Sequence, residues 1–340
     1  MRASCLSVHA RYKCAHSGAC CTAGWPIQVD DRIVAGLRAR RMIDAHTIAS
    51  ADDGGATILG TAADGACVFY DRDHGRLCAI HKDAGPALLP TACRNFPRIA
   101  LRDPRGLFVT LSHFCPTAAA LLLDTGAIAI VDAPGSITLD GTVEGLDATG
   151  VMPPLLRPGM LMDLEGYDAW EREGIAVLND ARYSAAEALA IIAAATADAC
   201  RWNPGRDPLA AWISRSFAAR ADPLPVALRL RSGHPEQMSR AEAGNHTSGE
   251  LAGHPARPYF DRSTKAFLAA HLFASWAAYQ GGGLSAIVEE LEVALALVGA
   301  ALRDSREPND FIEAVRTVDH RLRHHQDHVR TRPLPSLRPH

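Results

Sequence analysis

Seven cysteines fall between Tyr12 and Ala120: Cys14, Cys20, Cys21, Cys67, Cys78, Cys93 and Cys115. Cys5 lies ahead of them and Cys200 stands alone behind them. A deprotonated thiol is both a nucleophile and a soft metal ligand, so thiols grouped like this serve disulfides or hold zinc or iron. The compartment separates the two. Met1-Arg2-Ala3-Ser4-Cys5-Leu6 carries a positive charge without the apolar stretch of a secretion signal. No run of roughly 18 apolar residues is present to span a membrane. The cytoplasm is therefore the expected location, and structural disulfides rarely persist there. A chain of 340 residues also buries a core without staples. Metal binding is the expected chemistry.

The spacing adds detail. Tyr12-Lys13-Cys14-Ala15-His16-Ser17-Gly18-Ala19-Cys20-Cys21 sets small residues between thiols, which lets the backbone wrap a metal closely. Adjacent Cys20 and Cys21 point in different directions and serve a site differently. His16 reads as a nitrogen ligand or as a surface histidine. Cys67-Val68-Phe69-Tyr70 and Leu77-Cys78-Ala79-Ile80-His81 flank turn residues and predict a hairpin with one cysteine on each strand. His81 is a further candidate ligand. Arg94 and Arg98 set positive charge beside Cys93, which favours its thiolate. Cys115-Pro116 predicts Cys115 as the N-cap of a helix through Leu123, facing the positive end of the helix dipole.

The elements around these residues follow from periodicity. Val29 to Arg41 reads as a helix capped by Asp30, with Ile33, Val34 and Leu37 as its apolar face and arginines on a solvated side. Leu107–Leu111 and Ala127–Val131 read as strands. From Met160 the period is helical, over Leu161–Asn179, Ala185–Arg201, Pro208–Ala219, Thr264–Tyr279, Leu284–Arg303 and Pro308–His325. The expected fold class is α+β, mainly α. A small irregular cysteine-rich metal-binding region with short β-hairpins occupies 1–125, a linker 126–159, and a helical domain 160–340. That domain is expected to carry a mobile loop at 232–258 and a flexible basic, His-rich tail at 326–340. Gly281-Gly282-Gly283 reads as an interhelical turn, and the glycine fingerprint of a dinucleotide fold is absent. His320, His324 and His328 share a helix face that could capture metal or form part of a solvated tail. Cys5 and Cys200 read as packing thiols. A net charge of -3 leaves no electrostatic footprint for nucleic acid.

Six pieces in order carry a resemblance: Cys14…Cys20-Cys21; Gly24-Trp25-Pro26-Ile27 with Asp30; Cys67-Val68-Phe69; Leu77-Cys78-Ala79-Ile80; Cys93-Arg94-Asn95-Phe96-Pro97-Arg98; and Cys115-Pro116. Together they resemble the YkgJ-type cysteine-cluster family of zinc- or iron-chelating C-x-x-C-x-x-C-C proteins. Within it they are most similar to the flagellin lysine N-methylase-like proteins, and Tyr167–Glu171, Ile175–Asn179 and Arg182–Ser184 continue that likeness. The resemblance implies an iron–sulfur cluster (4Fe–4S) or zinc. It also implies methyl transfer from S-adenosylmethionine to a protein lysine, with flagellin as the acceptor. On that reading four of the seven cysteines hold a cluster, which has more thiolates available than one tetrahedral zinc needs. Arg94 and Arg98 meet the cofactor carboxylate or tune the cluster, and the helical half binds the protein substrate. One position departs: Ser17 stands where the family has its second cysteine, and a hydroxyl is a poor ligand for either metal. The site then uses the later cysteines, uses His16, or keeps an open position. Two other readings stay open, a non-catalytic zinc or iron carrier and a structural zinc site in a helical binding protein. Neither a membrane nor a nucleic acid is an expected partner.

Overall fold

The computed structural model describes residues 2–44, 46–50, 56–72, 77–137, 145–221, 258–303 and 307–324. The expected loop 232–258, apart from Pro258, and the expected tail 326–340 with His328 lie outside the described residues. The fold is α+β and mainly α. Packing divides the chain into two compact units: residues 1–151 with 273–276 and 296–340, and residues 152–272 with 277–295.

In the first unit the elements run β1 (Ala3–Leu6), α1 (Asp31–Ala39), β2 (Ile48–Ser50), β3 (Thr57–Leu59), β4 (Tyr70–Asp71), β5 (Leu77–Cys78), α2 (Thr91–Asn95), β6 (Arg98–Asp103), β7 (Gly106–Leu111), α3 (Pro116–Leu121), β8 (Ile130–Asp132) and β9 (Gly145–Asp147). Five strands form one sheet in the order β8-β1-β7-β6-β9. Its centre is the β6–β7 hairpin, in register Arg98↔Leu111 through Asp103↔Gly106. Asp103 closes the turn by accepting the Arg105 N–H at 2.8 Å. Gly106 is needed here because φ is 150° and a Cβ would lie 2.5 Å from the Arg2 carbonyl oxygen. That close approach starts β1, which runs parallel to β7 with Cys5 opposite Val109. Cys5 is fully buried beside Val109, Leu111 and Ala118 in this core.

Helix α1 forms where the sequence places it. The Asp30 carboxylate accepts the Ile33 N–H at 2.9 Å and caps the helix. Ile33, Val34 and Leu37 are buried against Ile27, Val29, Leu59, Phe69, Ile80 and Leu89. This apolar cluster also takes in Cys21 and Cys67, so the thiols rest on a packed floor.

Two expectations need correction. Cys67 is not on a hairpin strand: the hairpin pairs Tyr70 with Cys78 and Asp71 with Leu77. Cys67 lies a turn earlier, bridged to Thr61, because its N–H donates to the Cys21 carbonyl at 2.8 Å. His81 likewise leaves the strand and lies in a helical turn, Ile80–Ala84. The stretch 126–159 is not merely connection. It supplies β8, where the sequence reads a strand at Ala127–Val131, and β9, which gains main-chain hydrogen bonds despite weak strand patterning, to the two edges of the sheet. It also supplies β10 (Leu155–Arg157), which pairs with β11 (Met160–Leu161) in the second unit.

The second unit is helical: α4 (Leu164–Asn179), α5 (Ala185–Ala199), α6 (Leu209–Ala221), α7 (Pro258–Leu272) and α8 (Leu284–Ala301), the last of which counts with the first unit from residue 296. Trp170, Tyr167, Ile192 and Phe267 are buried, and the Trp170 indole donates to Thr196 Oγ1 at 2.8 Å. Ser184 and Glu187 form the expected capping box on α5. The final helix, α9 (Pro308–His324), returns to the first unit and packs on α3.

Candidate metal centre

Cys20 and Cys21 come from a single helical turn, Ala19–Cys21. Gly18 opens it with φ 76°, and a Cβ there would lie 2.6 Å from the Tyr70 ring. Glycine is thus required both by the backbone and by the approach of β4. Ser17 Oγ accepts the Ala19 N–H at 3.5 Å, so the residue at the family's second cysteine position serves this turn. The Cys21 carbonyl then holds the Cys67 N–H, and Cys78 arrives on β5.

The outcome is a convergence of sulfurs. Cys20 Sγ and Cys21 Sγ are 3.9 Å apart. The Cys21 thiol hydrogen-bonds with the Cys20 thiol, and Cys21 and Cys78 are close enough to shift each other's titration. Cys67 feels the charges of Cys78 and Cys20. Cys93, half-buried on α2, packs against the same apolar cluster. A small concavity is lined by Cys20, Cys21, Trp25, Ile27, Leu59 and Cys67. Among the described residues no three of the cysteine sulfurs lie within 4.8 Å of one another, so the group converges without closing a tetrahedron.

The electrostatics follow from who donates. The Cys21 S–H, together with the N–H groups of His81 and Ile80, brings the Cys78 thiol down to about 6. The same S–H lowers Cys20. Cys21, whose proton is shared by two sulfurs in a buried place, is pushed up. Burial pushes Cys67 up to about 11. Cys78 is therefore the thiol of this group most disposed to ionise, and Cys21 the one most disposed to keep its proton. The stabilising groups are S–H and main-chain N–H.

Cys14 and Cys115 have different surroundings. Cys14 is exposed, with the His16 N–H 3.4 Å from its sulfur. Cys115 is buried and caps α3 ahead of Pro116, as expected. Tyr12 Oη lies 3.8 Å from Cys115 Sγ, and the Arg98 guanidinium sits over the Tyr12 ring at 5.2 Å. Burial and the charges of Cys115 and Cys14 raise the Tyr12 phenol. Burial raises Cys115, against the opposing N–H groups of Ala118 and Thr117. Arg98 donates to the carbonyls of Asn95 at 3.4 Å and Ser136 at 2.7 Å, so it braces the chain beside this pair. Arg94 lies in the last turn of α2, next to Cys93. His16 and His81 stack with ring centroids 5.0 Å apart, joining the Cys14 segment to the Cys78 segment. His320 does not face solvent alone: its ring packs on Phe114 at 4.9 Å. Cys200, in the second unit, donates its S–H to the Leu156 carbonyl at 3.3 Å.

Sequence reasoning missed a buried polar network in the first unit. His9 Nε2 and His113 Nε2 are 3.2 Å apart, and Asp319 Oδ1 lies 3.6 Å from His113 Nδ1. His113 stands two residues before Cys115, but Asp319 is some two hundred positions away, and nothing in either local pattern pairs them.

Residues 13–116 match the model of a family described as a putative zinc- or iron-chelating domain, CxxCxxCC. No curated protein and no solved structure matches the chain. It is thus the cysteine-bearing stretch, from Lys13 to Pro116, that is similar to the zinc- or iron-chelating domains.

Proposed function

We propose that this protein binds zinc or iron through Cys20, Cys21, Cys67 and Cys78, with Cys14, Cys93 and Cys115 as the remaining sulfur donors. The observation that carries this reading is the approach of the Cys20 and Cys21 sulfurs to 3.9 Å, with Cys67 and Cys78 within electrostatic reach, over an apolar floor. The donor set fits the metal. A Zn–S bond of about 2.3 Å gives a tetrahedral sulfur–sulfur edge of about 3.8 Å, and the Cys20–Cys21 separation is 3.9 Å. A bound cation would relieve the crowding of these sulfurs, and main-chain N–H groups at Cys78 would remain to stabilise the thiolate. A bound zinc would tie the turns at 18–21, 67 and 78 together, and iron with sulfide would add electron transfer.

Metal content and visible absorption of protein purified without oxygen test the proposal. One zinc per chain with a colourless solution supports a structural site. Iron with equivalent acid-labile sulfide and a brown colour supports a cluster. Absence of both, with all nine thiols reacting freely, would overturn it. Methyl transfer from S-adenosylmethionine to lysine, on flagellin or another acceptor, rests on the resemblance alone. The iron-loaded protein with labelled S-adenosylmethionine and a lysine-rich acceptor is the assay that decides it.

A further inference from the structure

The turn that delivers Cys115 is built on a carboxylate from the far end of the chain. Asp319, on α9, is fully buried. Its Oδ2 accepts the Ser112 hydroxyl at 2.7 Å and the Phe114 N–H at 3.2 Å. Its Oδ1 lies 3.6 Å from His113 Nδ1 and accepts the Arg323 Nε–H at 3.0 Å. Arg316, one turn earlier, donates Nε–H to the Phe114 carbonyl at 3.0 Å and lies over the Phe114 ring at 5.4 Å. The Cys115 N–H closes the turn on the Ser112 carbonyl at 3.4 Å. Two of the three residues ahead of one thiol, Ser112 and Phe114, are therefore hydrogen-bonded to one carboxylate, and the His113 ring lies beside it.

We infer that Asp319 and Arg316 are positioning residues for Cys115 as a metal donor, so that α9 belongs to the metal-binding unit although it lies outside residues 13–116. The inference rests on the metal-binding reading above. The physical reason is the cost of the arrangement. A buried carboxylate is expensive unless its acceptors are filled, and an apolar side chain on α9 would pack with less penalty. What the carboxylate adds is a fixed backbone: the directions of the Ser112 hydroxyl, the His113 ring and the Phe114 N–H together set where the Cys115 Cα–Cβ bond points. Outer-sphere partners of this kind typically change metal affinity by about 10- to 100-fold.

Cobalt(II) alone, titrated into the metal-free full-length protein, is the test. The thiolate-to-cobalt charge-transfer absorption per bound ion reports the number of sulfur ligands, which a simple loss of stability leaves unchanged. Wild type, Cys115→Ser, Asp319→Asn and Arg316→Met are compared, with circular dichroism as the check on folding. The expected result is that Asp319→Asn and Arg316→Met lose the same share of charge-transfer intensity as Cys115→Ser and bind cobalt about 10- to 100-fold more weakly. Wild-type intensity in the folded variants overturns the inference, as does a Cys115→Ser protein that matches wild type. Failure of the wild type itself to bind cobalt overturns the metal reading, and the inference with it. If Asp319→Asn does not fold, Arg316→Met decides by the same criterion, because it leaves the buried carboxylate in place.

Discussion

The two groups of thiols in the first unit are positioned by different kinds of contact. Cys20, Cys21, Cys67 and Cys78 are set by main-chain devices: a glycine-led turn, one backbone bond from Cys67 to Cys21, and a two-residue hairpin. Cys115 is set by side chains that reach across the sequence, from Tyr12, His9 and Asp319. The difference shows in charge as well. In the first group Cys21 lowers Cys20 and Cys78 while burial raises Cys67, whereas Cys115 is kept in its thiol form by burial alone. A donor set held by main-chain bonds survives side-chain changes elsewhere in the chain. One made from distant pieces reports on whether the whole unit has assembled.

The largest break in that comparison is Cys21→Ser. It removes the sulfur that lowers both Cys20 and Cys78, and a hydroxyl does not replace a thiolate on zinc or iron. Metal per chain should fall to near zero by elemental analysis, while Cys115→Ser keeps a partly ligated ion. Should Cys115→Ser lose the metal and Cys21→Ser keep it, the two groups have been ranked in the wrong order.

This contrast also explains what was legible in the sequence. The Asp30 cap, the Cys115-Pro116 helix start and most of the helical C-terminal half follow from local chemistry and formed within a few residues of their expected bounds, but the helix expected at Thr264–Tyr279 runs instead from Pro258 to Leu272. The hairpin register failed at Cys67 because a turn bond to Cys21 competes with strand pairing, and only the second partner reveals it. The strand read at Ala127–Val131 appears as β8 at Ile130–Asp132, whereas the edge strand β9 carries little pattern because its neighbour supplies its hydrogen bonds. Asp319 was unreadable for a stronger reason. On an amphipathic helix a buried aspartate looks like a solvated one until its partners are known.

A kinetic contrast comes next in size. Metal-free Cys78, at about 6, is a thiolate at pH 7, whereas Cys67, at about 11, is roughly one part in ten thousand thiolate. The lower basicity of Cys78 costs it roughly a hundred-fold in intrinsic nucleophilicity. Cys78 should therefore be alkylated by iodoacetamide on the order of 50- to 100-fold faster than Cys67. Its rate should fall in acid with a midpoint about 6. Mass spectrometry of timed samples checks both, and equal rates would remove the S–H bonding that defines the first group.

Acid should act on the other region. Burial, with the charges of His113 and Arg323, holds His9 well below its ordinary 6.5 against the opposing pull of Asp319. His113 is lowered too, by burial and Arg323, with Asp319 opposing. Both rings are neutral in the fold, while the unfolded chain takes up protons near 6.5. The unfolded state then binds more protons, so stability is full above 6.5 and is lost as pH falls below it. Urea midpoints of metal-free protein measured downward from pH 7 should drop, and His9→Phe should flatten the dependence. An unchanged dependence in that variant would assign the acid lability elsewhere.

The smallest effect tests the first group through its backbone. Gly18→Ala leaves every sulfur in place and asks only whether the turn at 18–21 must keep its shape. A left-handed backbone costs a residue with a Cβ about 1–2 kcal/mol, and here the added methyl also meets the Tyr70 ring at 2.6 Å. Tyr70 pairs with Cys78 on the hairpin, so a ring pushed aside moves Cys78 away from Cys21. The variant should remain folded, lose about 1–2 kcal/mol in urea unfolding, and show the acid midpoint of Cys78 alkylation moved upward from about 6 as Cys21 draws away. Asp319→Asn, by contrast, should leave that midpoint untouched. If Gly18→Ala does not move it, or Asp319→Asn moves it equally, the sulfurs form one group rather than two.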